Sequence, residues 1–282
     1  MTDALQRFIF ENCEVRGEHV QLQQAYLDVL ASHHYPPGVA NLLGEFIAAA
    51  SLLSATLKFE GSLSLQVRGD GEVPLIMAET NDKLEMRAIA QGASEAMSSE
   101  FQRLLGGGQL AITIDPKKGS RYQGIVSLDG TSLAECLENY FRQSEQLSTR
   151  LWLCADGQRA SGLMLQELPS AAPNPDQWQH LTMLADTITD EELLSTDAET
   201  LLYRLYHQDP LRLFEPKQPR FKCSCSRERI ETALGNLGDA ELSSILQEQG
   251  QIETHCEFCN RRYTFGAADF PQLTGAGAPT RH

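Results

Sequence analysis

Four of the seven cysteines in this 282-residue chain stand in two short pairs near its C-terminal end, Cys223-Ser224-Cys225 and Cys256-Glu257-Phe258-Cys259. Thiolates are soft ligands. A tetrahedral zinc ion takes four of them at about 2.3 Å from two knuckles that the fold brings together. Cys223, Cys225, Cys256 and Cys259 are therefore the expected ligands, and one zinc ion the expected metal. The C-x-x-C half has ordinary knuckle spacing. The C-x-C half is tighter, and a single intervening residue keeps two sulfurs very close, as suits a site that must lose its metal as well as hold it. His255 adjoins the second pair, but four thiolates already complete a tetrahedron. Lys222, Arg227 and Arg229 flank the first pair and are expected to favour thiolate. Four unrelated buried thiols is the competing reading, and it is disfavoured because the two pairs flank one helical insert.

Metal-bound thiolates remain nucleophilic, so peroxide or hypochlorous acid could oxidise them and release the metal. Metal binding would supply roughly 10–16 kcal/mol of apparent folding free energy to a small module, and that contribution would leave with the ion. Cys13, Cys136 and Cys154 read instead as small buried hydrophobes. Gly106-Gly107-Gly108 lacks the lysine and hydroxyl residue of a phosphate loop and reads as a turn. Lys117-Lys118-Gly119-Ser120 has no upstream glycine at the needed distance. His33-His34 precede a proline turn and read as surface residues. With no nucleophile elbow and no histidine-rich motif, nothing points to an enzyme.

The elements that must position the quartet follow from periodicity. Residues 5–22 read as extended, with Arg16-Gly17-Glu18 as a turn or bulge, and a helix is expected at 23–33 up to the break at Pro36-Pro37-Gly38. Val39 to Thr56 is apolar at helical spacing and nearly all round, as in a buried helix. Alternating strands follow at 63–68, 73–78 and 84–90, a helix at 95–105, a hairpin of 109–115 with 122–128, a helix at 131–144, and strands at 149–155 and 161–167. Strands in adjacent runs with helices between the groups indicate an α+β class, a mixed sheet-and-helix domain over 1–168.

From Pro169 the character changes. Residues 169–219 read as a linker. Between Asp176 and Thr200 there are seven acidic residues and no lysine or arginine, yet Leu181, Leu184, Ile188, Leu193, Leu194 and Leu201 recur at helical intervals. Two or three short amphipathic helices are expected there, too short to be stable without docking on something. Residues 220–273 form a small module carrying the quartet, with two helices inside Arg227–Gln249 and short strands near 251–254 and 263–265. Such a module needs its metal. Residues 274–282 are an expected flexible tail.

A formal charge of −15 repels nucleic-acid phosphates, so no nucleic-acid partner is expected. The longest apolar run, Leu42 to Leu57, is interrupted by Gly44, Glu45 and hydroxyl residues, so no membrane partner is expected either. Met1 to Gln6 has no basic-then-apolar leader pattern. Clustered cysteines in such a chain suit a reducing cytoplasm, where they are metal-bound or redox-sensing rather than bridged.

The quartet at the end of an acidic chain of this length resembles the redox-regulated holdase chaperones of the heat shock protein 33 family. The resemblance runs through the chain: Tyr35-Pro36, Leu42-Leu43-Gly44-Glu45, Ala55-Thr56-Leu57-Lys58-Phe59, Arg121-Tyr122-Gln123-Gly124, Tyr140-Phe141 with Ser144-Glu145-Gln146-Leu147, Leu205-Tyr206-His207, and Phe221 to Arg229. It implies an N-terminal α+β domain, a helical linker and a C-terminal zinc-binding redox-switch domain. It implies that oxidation joins Cys223 with Cys225 and Cys256 with Cys259, that zinc leaves, that the linker and C-terminal domain unfold, and that a homodimer then holds unfolding client proteins without ATP. Cys13 and Cys154 have no place in that scheme. Two other classes compete: a zinc-dependent adaptor, supported only by Arg227, Arg229, Arg261 and Arg262, and a thiol–disulfide oxidoreductase at Cys256–Cys259, which lacks a thioredoxin-like setting.

Overall fold

In the computed structural model the chain divides between Lys222 and Cys223 into two compact units, and residues 3–57, 60–169 and 174–271 are described. Lys58 and Phe59 of the resemblance motif, residues 170–173 of the expected linker and the expected tail over 274–282 lie outside the described residues.

The first unit opens with the hairpin β1 (Ala4–Phe10) and β2 (Val15–Leu22), then α1 (Gln24–Leu30) and α2 (Pro37–Ala55). The meander β3 (Gly61–Arg68), β4 (Leu75–Asn81) and β5 (Glu85–Gln91) leads to the short helix α3 (Phe101–Leu105) and the hairpin β6 (Gln109–Pro116) and β7 (Tyr122–Ser127). Next come α4 (Leu133–Tyr140), a π-helical turn (Phe141–Glu145), and the hairpin β8 (Thr149–Ala155) and β9 (Ala160–Glu167). Three helices follow, α5 (Pro175–Ala185), α6 (Asp190–Ser195) and α7 (Ala198–Tyr206), then two brief strands, β10 (Leu211–Leu213) and β11 (Arg220–Phe221).

These strands make two sheets, in the orders β10-β1-β2-β9-β8 and β11-β5-β4-β3-β6-β7. Every pairing is antiparallel except β11 with β5. The class is α+β, as the grouping of strands indicated. Helix α2 packs against strands of both sheets, and its apolar circumference is buried. Among the described residues it is the one helix long and apolar enough to cross a membrane, and here it is a core helix.

The first sheet buries both of its faces. Leu5, Val20 and Leu22 join the core around α2, while Phe8, Phe10, Val15, Leu163 and Leu165 face the other way. Helices α5 to α7 cover that second face with Leu181, Leu193, Leu194, Leu201, Leu202 and Tyr206. The acidic segment therefore spends its leucines on a sheet and keeps its carboxylates outside or at helix starts. Thr189 and Glu192 form a reciprocal capping box on α6, and Asp197 caps α7 at the Thr200 N–H. The seam also has polar fasteners: Gln21 Nε2 donates to Thr196 O at 2.6 Å and Arg150 meets Asp186 at 2.7 Å, while within the helical layer Tyr206 Oη donates to Leu181 O at 3.1 Å.

Several expectations need correction. Gly17 lies inside β2, not in a turn; it pairs with Phe8, whose ring fills the space a Cβ would occupy, 2.1 Å from Cζ. Pro37 does not end a break but stands in the first turn of α2, where its missing N–H costs nothing. The helix expected from 95 is confined to Phe101–Leu105.

The second unit contains α8 (Arg227–Gly235), α9 (Asp239–Gln249), the hairpin β12 (Ile252–His255) and β13 (Arg262–Phe265), and a 3-10 turn over Ala267–Asp269. Its fully buried apolar set is small: Leu242, Ile252, Cys256, Tyr263, Phe265 and Phe270. Helix α8 contributes no fully buried residue.

Candidate metal centre

Two local structures present the cysteines. Cys223 and Cys225 lie on an irregular segment that runs into α8, where the Ser226 side chain accepts from Arg229 N and fixes the helix start directly after Cys225. Cys256 and Cys259 lie in the loop of the β12–β13 hairpin. Cys256 N donates to Arg261 O at 2.9 Å, and Asn260 N donates to Cys256 O at 2.8 Å. Asn260 takes a left-handed φ of 54°, which asparagine tolerates better than most residues, and so turns the loop back on Cys256.

The four ligand sulfurs all lie within 4.8 Å of one another. Cys223 Sγ is 3.6 Å from Cys256 Sγ, and Cys225 Sγ is 3.5 Å from Cys259 Sγ. A tetrahedron with bonds of about 2.3 Å has edges of about 3.8 Å, so this spacing and this donor set fit a thiophilic divalent ion. The cluster can hold a metal ion. Among the described residues it is the one group of three or more His, Cys, Asp or Glu side chains arranged to do so. Cys256 belongs to the buried core of the unit, and Cys223, Cys225 and Cys259 are half-buried against it, so the site is continuous with the core.

Electrostatics sort the thiols. Burial pushes Cys223 and Cys259 up. Burial also works to raise Cys225, but the Tyr263 hydroxyl and the three neighbouring thiols hydrogen-bond to its sulfur and hold it at about 7. Tyr263 Oη lies 3.1 Å from Cys225 Sγ. The cations expected to favour thiolate make their recorded bonds elsewhere: Lys222 to Glu85 at 2.9 Å, Arg227 to Asp269 at 2.8 Å, and Arg229 to Ser224 O at 3.0 Å. Tyr263 is thus the functional neighbour that the motif does not reveal. Its signal in the sequence is the alternation over 262–265, which sends Tyr263 and Phe265 inward together. His255 is exposed on β12. Cys136 is buried on α4, Cys154 is buried on β8 with its thiol 3.8 Å from Asp190 O, and Cys13 is half-buried after β1, so none of the three joins the cluster.

A family model described as Hsp33 protein matches residues 3–266. The chain belongs to the Hsp33 family. The 33 kDa chaperonin of Ectopseudomonas mendocina is 54% identical over 295 residues, covering 100% of both chains. That of Pseudomonas paraeruginosa is 53% identical over 294 residues, covering 100% of this chain and 99% of that one. The crystal structure of the 33 kDa chaperonin of Thermotoga maritima superposes with a TM-score of 0.83 over 96% of this chain and 97% of that one, at 19% identity. This likeness speaks to the Hsp33 fold. The relatives are named as chaperonins and not as enzymes.

Proposed function

We propose that this chain is a redox-regulated, ATP-independent holdase of the cytoplasm, with zinc held by Cys223, Cys225, Cys256 and Cys259 in the reduced state. The observation that carries the reading is that the four sulfurs, spaced for a tetrahedral ion, pack together with the few buried side chains of the second unit. A zinc ion there would supply most of the folding free energy of the module. Each pair of thiolates then gives two electrons to one peroxide, forming one disulfide and two hydroxides, so the quartet consumes two equivalents.

The disulfides are Cys223–Cys225 and Cys256–Cys259. The shortest sulfur contacts of the reduced cluster run across the knuckles instead, Cys223 to Cys256 and Cys225 to Cys259. Cross-knuckle bonds need the module to stay folded. Bonds within a knuckle close loops of only a few residues and form readily in a chain that has come apart. The local pairing is the one the family resemblance implies, and it suits a module that unfolds as it oxidises.

On this reading residues 1–168 are the folded platform, 169–219 the linker and 220–273 the switch. The linker helices hold no core of their own; their leucines are buried on the first sheet. Lifted off, they expose those leucines and the sheet face together, with acidic residues alongside to keep a client complex soluble. Unfolding proteins are the clients, and the activated form is a homodimer.

The test treats the reduced, metal-loaded protein with peroxide at elevated temperature and follows zinc with a chromogenic indicator, client aggregation by light scattering, and disulfides by peptide mass mapping. Zinc release, ATP-independent suppression of scattering and reversal by a thiol reductant are expected. Zinc release without protection of the client would refute the holdase reading.

A further inference from the structure

The seam beneath α5 to α7 contains a titratable group with no part in the metal chemistry. His19 lies mid-strand in β2, between Gln6 of β1 and Leu163 of β9. It is 1% exposed, and its Nε2 has no hydrogen-bond partner. Its face of β2 is the one that the linker helices cover. Two residues along, Gln21 Nε2 donates to Thr196 O at 2.6 Å, and Leu163 packs in the same cluster as Leu193, Leu194 and Leu201.

Among the described residues no acceptor hydrogen-bonds to His19 Nε2. Gln6 commits its amide to the carbonyl oxygens of Arg7 and Phe214. Leu163 is apolar. On β2 itself, Arg16 and Glu18 alternate to the opposite face. From the linker, Asp197 is the charged group that acts on the imidazole, and its carboxylate already accepts from Thr200 N at 3.0 Å and Thr200 Oγ1 at 2.8 Å. Glu192 and Arg204 pair with each other at 3.8 Å, both well exposed to solvent. A neutral imidazole fits this seam; an imidazolium there is a buried charge without a partner.

We propose that the seam is acid-labile: protonation of His19 releases α5 to α7 from the first sheet without oxidation of the cysteine quartet. Burial holds the imidazole well below its ordinary 6.5, at about 4, against the opposing pull of Asp197. Once the linker lifts, solvent returns the group to about 6.5. The docked state thus binds the proton less tightly. Docking is at full strength above about pH 6.5 and weakens roughly tenfold per pH unit as the pH falls from about 6 towards 4. The proposal concerns docking alone and does not depend on the redox reading.

The chain carries its own probe, because both of its tryptophans, Trp152 and Trp178, pack against the seam cluster. Trp152 Nε1 also donates to Asp186 Oδ1, just past the end of α5, at 3.1 Å. The experiment titrates the reduced, zinc-loaded full chain from pH 7.5 to 4.5, recording tryptophan emission and released zinc together, for the parent and for His19→Gln. A red shift of the parent that precedes zinc release, and that moves at least one pH unit lower in His19→Gln, is expected. The same midpoint in both proteins, or a red shift that merely follows zinc release in both, overturns the proposal. Should His19→Gln fail to dock at neutral pH, imidazole NMR of the parent decides. A His19 ring that stays neutral until the emission shifts supports the proposal. Titration near pH 6.5 with emission still that of the docked protein overturns it. None of these readings measures holdase activity, so their failure leaves the proposed function standing.

Discussion

If the docked linker is what keeps the reduced protein inactive, weakening the dock should activate it with the metal still in place. Leu201 on α7 is the place to do so: it is 2% exposed and belongs to the cluster with Phe8 and Phe10. Truncation to alanine removes buried methyl groups and leaves a cavity, at about 2–5 kcal/mol. That cluster lies on the opposite face of the first sheet from the core around α2, so the loss falls on docking and not on the platform. Even the low end of the range shifts a docking equilibrium by roughly thirty-fold. For Leu201→Ala we expect cleavage within 174–206 by a protease at a dilution that spares the parent, one zinc per chain as in the parent, and suppression of client light scattering under reducing conditions. A variant whose linker is cut rapidly, whose zinc is intact and which protects no client would refute the idea that the covered face is the inhibited surface.

Three further outcomes follow from the same geometry. Cys256→Ser removes the fully buried ligand, so metal content should fall well below one per chain, and the amides of the second unit should lose protection from hydrogen exchange; unchanged zinc in that variant would dismiss the ligand assignment. Tyr263→Phe deletes the hydroxyl that donates to Cys225 Sγ in the folded module, so the metal-loaded variant should hold zinc more weakly, by roughly tenfold, read by competition with a chromogenic chelator; an unchanged affinity would show that the hydroxyl does not support the site. Gly17→Ala drives a methyl group into the Phe8 ring and should destabilise the first unit by about 1–3 kcal/mol, read as a lowered Tm with zinc content unchanged.

What the sequence made legible was what is encoded locally. The quartet could be read because metal knuckles are short motifs, and the linker helices because Leu181, Leu184, Ile188, Leu193, Leu194 and Leu201 recur at helical intervals in the chain itself. Helix α2 was legible from its all-round apolar composition. The remainder depends on partners distant in sequence. Strands β10 and β11 are three and two residues long, too short for any alternation to show, and are strands only because β1 and β5 receive them. The π-helical turn after α4 is held by Tyr140 and Tyr122, whose hydroxyls donate to Glu145 at 2.7 and 3.1 Å. Arg16-Gly17-Glu18 has the composition of a turn, and only the register of β1 on β2 reveals that its glycine makes room for an aromatic ring. The role of Tyr263 is hidden for the same reason: its hydrogen bond to Cys225 depends on where the hairpin closes.

On the proposed mechanism, an event at Cys223 must reach α7 through the intervening chain, and that stretch is fastened. Strand β10 pairs with β1, and Leu5 and Lys217 exchange backbone hydrogen bonds at 2.8 and 2.9 Å. Strand β11 pairs with β5, where Lys222 and then Arg220 hydrogen-bond to Glu85 and hold its carboxyl down at about 2. Arg220 and Lys222 are more than half exposed while the Glu85 side chain is 10% exposed, so these half-buried pairs reinforce the pairing of β11 with β5 at the end of the first unit. On that mechanism, losing the metal frees the chain beyond Lys222 while β11 and β10 keep their partners on β5 and β1. It cannot by itself undo the cluster of Leu193, Leu194, Leu201, Leu202 and Tyr206 on Phe8 and Phe10, which shares no buried side chain with the cysteine core. The linker then needs a second push, from heat, from a competing client or from a proton on His19. On the proposed mechanism, oxidation at the quartet releases the linker fully only when a second stress is present.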